Sequence, residues 1–125
     1  NLVITGDSHA AWASELMDGN ERVGVEFGGT SITSPGAGNL FPQLRLDFGG
    51  AIAARNPHIK WNDQIHRGFL LLTLTRQRAL AEFKTVSTVA SKDFRVTTAA
   101  TFQVMPDREK MNPLLPISAG DEKEK

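Results

Sequence analysis

The stretch Phe69-Leu70-Leu71-Leu72-Thr73-Leu74-Thr75-Arg76-Gln77-Arg78-Ala79-Leu80-Ala81-Glu82-Phe83-Lys84-Thr85-Val86 decides the architecture. Residues 69–75 are an apolar run of strand length and read as a buried strand. Residues 76–79 form a turn, and residues 80–86 return as a second strand. Four residues between two apolar runs fit a hairpin. Downstream, Phe94 to Met105 continues the pattern through Phe94, Val96, Phe102 and Val104, which predicts a further strand. From Pro106 the composition turns polar and Pro-rich and closes on Gly120-Asp121-Glu122-Lys123-Glu124-Lys125. Residues 106–125 are therefore expected to be a mobile tail with too little apolar surface to bury.

Upstream of the hairpin the chain opens on Asn1-Leu2-Val3-Ile4-Thr5-Gly6-Asp7-Ser8-His9. Leu2, Val3 and Ile4 read as a buried strand that ends at Gly6. Asp7 and His9 then stand at the strand's tip. A hard carboxylate and an imidazole two residues apart, on a turn that glycine lets approach closely, suit a metal ion. The same residues also fit a helix start, with Asp7 as the cap and His9 in the first turn. Ala10 to Met17 predicts a short helix, because positions 12, 13, 16 and 17 share one helical face. Asp18-Gly19-Asn20 stops it. Arg22 to Thr33 alternates through Val23, Val25 and Phe27, which is strand patterning. Ser34-Pro35-Gly36-Ala37-Gly38-Asn39 predicts a loop with close backbone approach. Leu40 to Arg55 reads as partly helical, weakened by Gly49-Gly50 and ended at Asn56-Pro57-His58. The sum is a mixed α/β domain: a small sheet of at least four strands with two helices.

Composition narrows the function classes. A chain of 125 residues is one domain with a modest core. Fourteen basic and fourteen acidic residues balance, so no electrostatic footprint for nucleic acid or an anionic membrane is present. There is no cysteine, which excludes disulfides, thiolate nucleophiles and thiolate zinc sites from this segment. No apolar stretch approaches the length of a membrane span, and no signal peptide is visible. The chain lacks an initiator Met and starts directly on a core-like strand, so it is expected to be the mature or excised remainder of something longer. The lack of a targeting signal then says nothing about location.

Three stretches align in order and spacing. They are Val3-Ile4-Thr5-Gly6-Asp7-Ser8-His9-Ala10-Ala11-Trp12, then Val25-Glu26-Phe27 running into Thr30-Ser31-Ile32-Thr33-Ser34-Pro35-Gly36. The third is Asn56-Pro57-His58-Ile59-Lys60-Trp61-Asn62-Asp63 followed by Arg67 and the hairpin. Together they resemble the C-terminal part of the PhoD-like alkaline phosphatases, a branch of the calcineurin-like metallophosphoesterases. The resemblance covers roughly residues 1–105. Its hairpin is similar too, with a Leu-rich strand, an Arg-containing turn and an aromatic residue, Phe83, on the return strand. The implied fold is a C-terminal fragment of a metallophosphoesterase β-sandwich flanked by helices.

The resemblance implies hydrolysis of phosphoesters, monoesters or diesters, by water activated on a metal cluster, with iron and calcium as the associated ions. Asp7 and His9 would be metal ligands and the catalytic residues of this segment. His58, in the matching Asn-Pro-His stretch, would line the pocket of the phosphoester substrate; Arg67 is a second substrate-binding candidate on chemical grounds, because a guanidinium matches phosphate. It also implies an exported enzyme, periplasmic or secreted. The departures are informative. The superfamily's Gly-Asp-x-x-Asp and Gly-Asn-His-Asp/Glu motifs and the family's metal-site cysteine do not occur here. Two candidate ligands are too few for a cluster that needs about three protein ligands per metal. This chain alone is therefore expected to be inactive and to need the missing N-terminal part of the same enzyme as its partner. Gly28-Gly29 also stands where family members often carry bulkier residues, which would loosen the strand.

Several of these residues suit a second, plainer role. His58 is equally well read as a loop imidazole bonded to nearby backbone. Arg67 matches phosphate in a two-pronged way, but an Arg just before a buried strand commonly pairs with a nearby carboxylate such as Asp63. Trp12 and Trp61 more often cover a core edge than stack on a ligand. Residues 28–38 are no phosphate loop, because the Lys-Ser/Thr ending is missing. Two further function classes stay open. One is a non-catalytic binding or interaction domain. The other is an esterase of the Gly-Asp-Ser type using Ser8. That family, however, keeps its Asp and His near the C-terminus and has no counterpart of the stretches around Pro35 and Pro57.

Overall fold

The structure is a computed structural model that describes residues 1–40, 47–106 and 115–117. Two four-stranded sheets face each other. The first holds β1 (Leu2–Thr5), β2 (Ala11–Asp18), β3 (Glu21–Gly28) and β4 (Ile59–Asp63), in the order β1-β3-β2-β4. The second holds β5 (Gly68–Leu74), β6 (Ala79–Val86), β7 (Val96–Val104) and β8 (Leu115–Pro116), in the order β5-β6-β7-β8. Among the described residues only the β1–β3 pair is parallel; every other pairing is antiparallel. A helix, α1 (Phe48–Arg55), lies between β3 and β4 in sequence, and a 3-10 turn spans Ala37–Asn39.

The inner faces follow the period of two that strands impose. Ala13 and Phe27 are paired in register, as are Phe83 with Ala100 and Ala81 with Phe102. Ala11, Ala13, Val25 and Phe27 from the first sheet meet Ala81, Phe83 and Phe102 from the second, with Trp61, Leu70 and Leu72 packed around them. Phe83 is the aromatic hub. Its ring lies 4.7 Å from Trp61 and 6.2 Å from both Phe27 and Phe102. Trp61 is thus a core-edge residue.

Several expectations need correction. Ala10 to Met17 is not a helix but lies almost wholly within β2. Its alanines at 11 and 13 are buried in the core with Phe83 and Phe102 of the opposite sheet, and the small side chain decides the fit. The supposed helix stop is the hairpin loop, with Gly19 at φ +58° between Asp18 and Glu21. Asp7 accordingly caps no helix. Residues 59–63, unassigned by pattern, form β4. The hairpin itself is observed, but β5 is not buried on both faces: Phe69 and Leu71 are 46% and 45% exposed while Leu70 and Leu72 turn inward. Among the described residues, Leu2, Val3 and Ile4 form a strand at a sheet edge with exposed side chains, not a buried one.

Helix α1 does form despite Gly49-Gly50. Asp47 caps it by accepting from the Gly50 N–H, and Asn56 ends it before Pro57. The part of the Leu40 to Arg55 prediction that falls on residues 41–46 lies outside the described residues. Most of the expected mobile tail also lies outside them. Leu115–Pro116 pairs with Phe102 and Gln103 of β7.

Candidate functional site

The turn after β1 is built by the backbone. Ser8 N–H donates to the Gly6 carbonyl at 2.8 Å, and Asp7 and His9 both take left-handed conformations, with φ of 71° and 53°. Asp and His are among the few non-glycine residues found in that region. Both side chains are exposed at the tip of the strand. His9 Nδ1 lies 3.0 Å from the Pro35 carbonyl oxygen. A carbonyl can only accept, so Nδ1 carries the hydrogen and the neutral ring keeps its lone pair on Nε2. An imidazole tied through one nitrogen to a carbonyl, with a carboxylate two residues away in sequence, is a donor pair of the kind that suits a hard or borderline cation. Among the described residues no cluster of three or more His, Asp or Glu side chains gathers.

Arg67 sits beneath this turn. Its Nη1 donates to the His9 carbonyl at 2.8 Å, to Ser31 Oγ at 2.7 Å and to the Ser34 carbonyl at 2.9 Å, and Nη2 reaches the Gln64 carbonyl at 3.3 Å. The residue is 7% exposed. Both roles expected of Arg67 need correction. Among the described contacts it forms no ion pair with Asp63, and its guanidinium is committed to backbone carbonyls and a hydroxyl rather than presented to a phosphoester. Burial lowers its pKa and the Asp63 carboxylate partly restores it; a guanidinium stays charged at any working pH.

Gly36 explains why the Ser34–Asn39 loop is glycine-rich. A Cβ there would lie 2.5 Å from the His9 carbonyl oxygen and 2.9 Å from Arg67 Nη2. Gly28 plays a similar part against Trp12, whose Cδ1 would be 2.9 Å from an added Cβ. The glycine expected to loosen β3 is therefore one that lets an indole pack on it.

His58 stands elsewhere. Its carbonyl accepts from Glu15 N–H at 2.7 Å, and the residue lines an open cleft of about 390 Å³ together with Thr5, Gly6, Ser8, Trp12 and Glu26. The cleft therefore borders the Asp7 and His9 turn through Gly6 and Ser8. Ser8 Oγ accepts from Trp12 Nε1 at 2.7 Å.

One pair escapes sequence reasoning. Asp63 Oδ2 lies 2.7 Å from His66 Nδ1, and Asp63 Oδ1 accepts from the Ile65 and His66 N–H groups. Burial alone would raise the Asp63 pKa, but those backbone donors and the His66 ring hold it below its ordinary value. The Asp-x-x-His spacing of residues 63–66 is the signal that could have found it. Thr30 Oγ1 contacts both the His66 carbonyl (3.1 Å) and the His9 carbonyl (3.4 Å), so this pair lies next to the His9 loop. Nothing among the described contacts links His66 to Ser8, so the Gly-Asp-Ser esterase reading gains no support.

The PhoD-like phosphatase family model matches residues 1–83. The chain belongs to the PhoD-like phosphatase family. It is 36% identical over 113 residues to alkaline phosphatase D of Bacillus subtilis (strain 168), covering 86% of this chain and 18% of that protein. A solved structure of PhoD superposes with a TM-score of 0.67 at 26% identity, over 94% of this chain and 22% of the other. The chain thus spans about a fifth of the length of the relatives it matches. The sandwich seen here is the fold of that part of PhoD.

Proposed function

We propose that this segment supplies Asp7 and His9 to the metal centre of a PhoD-like phosphatase that hydrolyses phosphoesters. The observation that carries the reading is the turn itself: a carboxylate and an imidazole on a left-handed backbone at a strand tip, with His9 Nδ1 held by the Pro35 carbonyl. Left-handed non-glycine residues are uncommon, and His9 is held there by the Arg67 bond to its carbonyl and the Pro35 bond to its ring. Membership of the PhoD-like family supports the same assignment.

Metal ions bound there would polarise phosphoryl oxygens and lower the pKa of a bound water. The chain's own residues prepare that chemistry. Asp7 offers a carboxylate, and His9 offers Nε2 with its tautomer set by the carbonyl behind it. His58, which lines the cleft that adjoins the turn, is the proposed substrate contact. Iron and calcium are the proposed ions, from family resemblance. Two ligands are fewer than such a site needs, so the remaining ligands are proposed to come from the N-terminal part of the same enzyme. An exported location, periplasmic or secreted, is proposed on the same resemblance; no helix among the described residues is long and apolar enough to cross a membrane.

The test is metal analysis with hydrolysis of a chromogenic phosphodiester, using this chain together with the rest of the enzyme. Asp7→Ala and His9→Ala are each expected to lower activity by at least a hundredfold and to deplete bound metal. Wild-type metal content and turnover in both variants would remove these residues from the site.

A further inference from the structure

The buried Arg67 knot does more than close two loops. Three segments distant in sequence converge on one guanidinium: the metal-ligand turn through the His9 carbonyl, the loop after β3 through Ser31 and Ser34, and the β4–β5 connection through Gln64. The loop after β3 also carries Pro35, whose carbonyl holds His9 Nδ1. Arg67 therefore grips His9 from two sides, once at its own carbonyl and once through the loop that sets its ring. Gly36 keeps the two gripped backbones in contact, since any side chain there would enter the space between the His9 carbonyl and Arg67 Nη2.

We propose that Arg67 is a positioning residue that fixes the pose and tautomer of the His9 imidazole by clamping the His9 carbonyl to the loop bearing Pro35. The inference rests on the reading of His9 as a metal ligand. A planar guanidinium suits the task because its donors form a rigid fork over several acceptors at once, whereas an ammonium is a point charge on a flexible stem. Loss of a group that orients a ligating histidine typically weakens metal binding by about 10–100-fold. Arg67 itself touches neither metal nor substrate in this scheme.

The experiment uses the full-length phosphatase carrying this segment, labelled with 15N-histidine, with signals assigned by single His→Gln variants. In the metal-free wild type, His9 is expected to show protonated Nδ1 and unprotonated Nε2. Arg67→Lys should turn that signature into a tautomer mixture and speed loss of metal to a chelator by about 10–100-fold, with the thermal transition still cooperative. A folded Arg67→Lys protein with wild-type His9 signals and metal retention overturns the proposal. Should Arg67→Lys fail to fold, Ser31→Ala decides. It removes one acceptor and leaves the guanidinium, so a smaller change in the same direction supports the clamp, and unchanged signals reject it. The two readings separate cleanly. If His9→Gln keeps its metal, the ligand assignment fails, while the tautomer measured without metal still reports on Arg67.

Discussion

Asp63 shows how far a single carboxylate can be tuned by its neighbours. Burial works against its charge, but the Ile65 and His66 N–H groups and the His66 ring more than offset that, and its pKa falls below the ordinary 3.8. A carboxylate with a depressed folded pKa adds stability above its unfolded pKa and loses it as pH falls through the folded value. We expect the stability gap between wild type and Asp63→Asn to be constant above about pH 5 and to close below about pH 4, by urea denaturation across that range. A gap that persists unchanged to pH 2 would show that the charge is not what these bonds hold. At this level the sequence is partly legible. Asp7 and His9 stand out because a hard ligand pair follows a strand and a glycine. The roles of Arg67 and Asp63 are hidden, because their partners are backbone carbonyls and amides, which every residue carries and no pattern marks.

The strand β2 carries the main lesson about elements. Its apolar positions satisfy a helical stripe, and alanine, leucine and methionine are good helix formers. What overrides them is the facing surface: Ala13 is fully buried, paired with Phe27 on one side and Trp61 on the other. Small side chains here serve close packing, not helix propensity. Ala13→Leu raises no objection on propensity grounds, yet we expect it to destabilise the protein by about 1–3 kcal/mol through overpacking, measured by urea denaturation. A neutral result would mean the sheets can part to admit it. The hairpin of β5 and β6 is readable because its signal is local, two apolar runs and a turn. The strand β4 is not, since five residues with Lys, Asn and Asp among them become a strand only by pairing with β2.

The molecule as a whole is held by rings that span the two sheets. Phe83 touches Phe27, Trp61 and Phe102, so it joins β6 to β3, β4 and β7 at one point. Phe83→Ala is expected to cost about 3–5 kcal/mol, enough to unfold a small domain of marginal stability, and is checked by thermal melting. Loss of only about 1 kcal/mol would show that the remaining aromatic residues close the gap. The centre of this architecture is far from its least secure strand. The strand β1 has β3 as its single sheet neighbour among the described residues, four residues of pairing, and exposed Leu2, Val3 and Ile4. The Asp7 and His9 turn hangs from that strand. Amide hydrogen exchange should therefore find β1 opening by local fraying well before the aromatic centre loosens. In this segment, loosening of the Asp7 and His9 backbone is thus separable from global stability: a melting curve would be blind to it, while exchange of the β1 amides would report it.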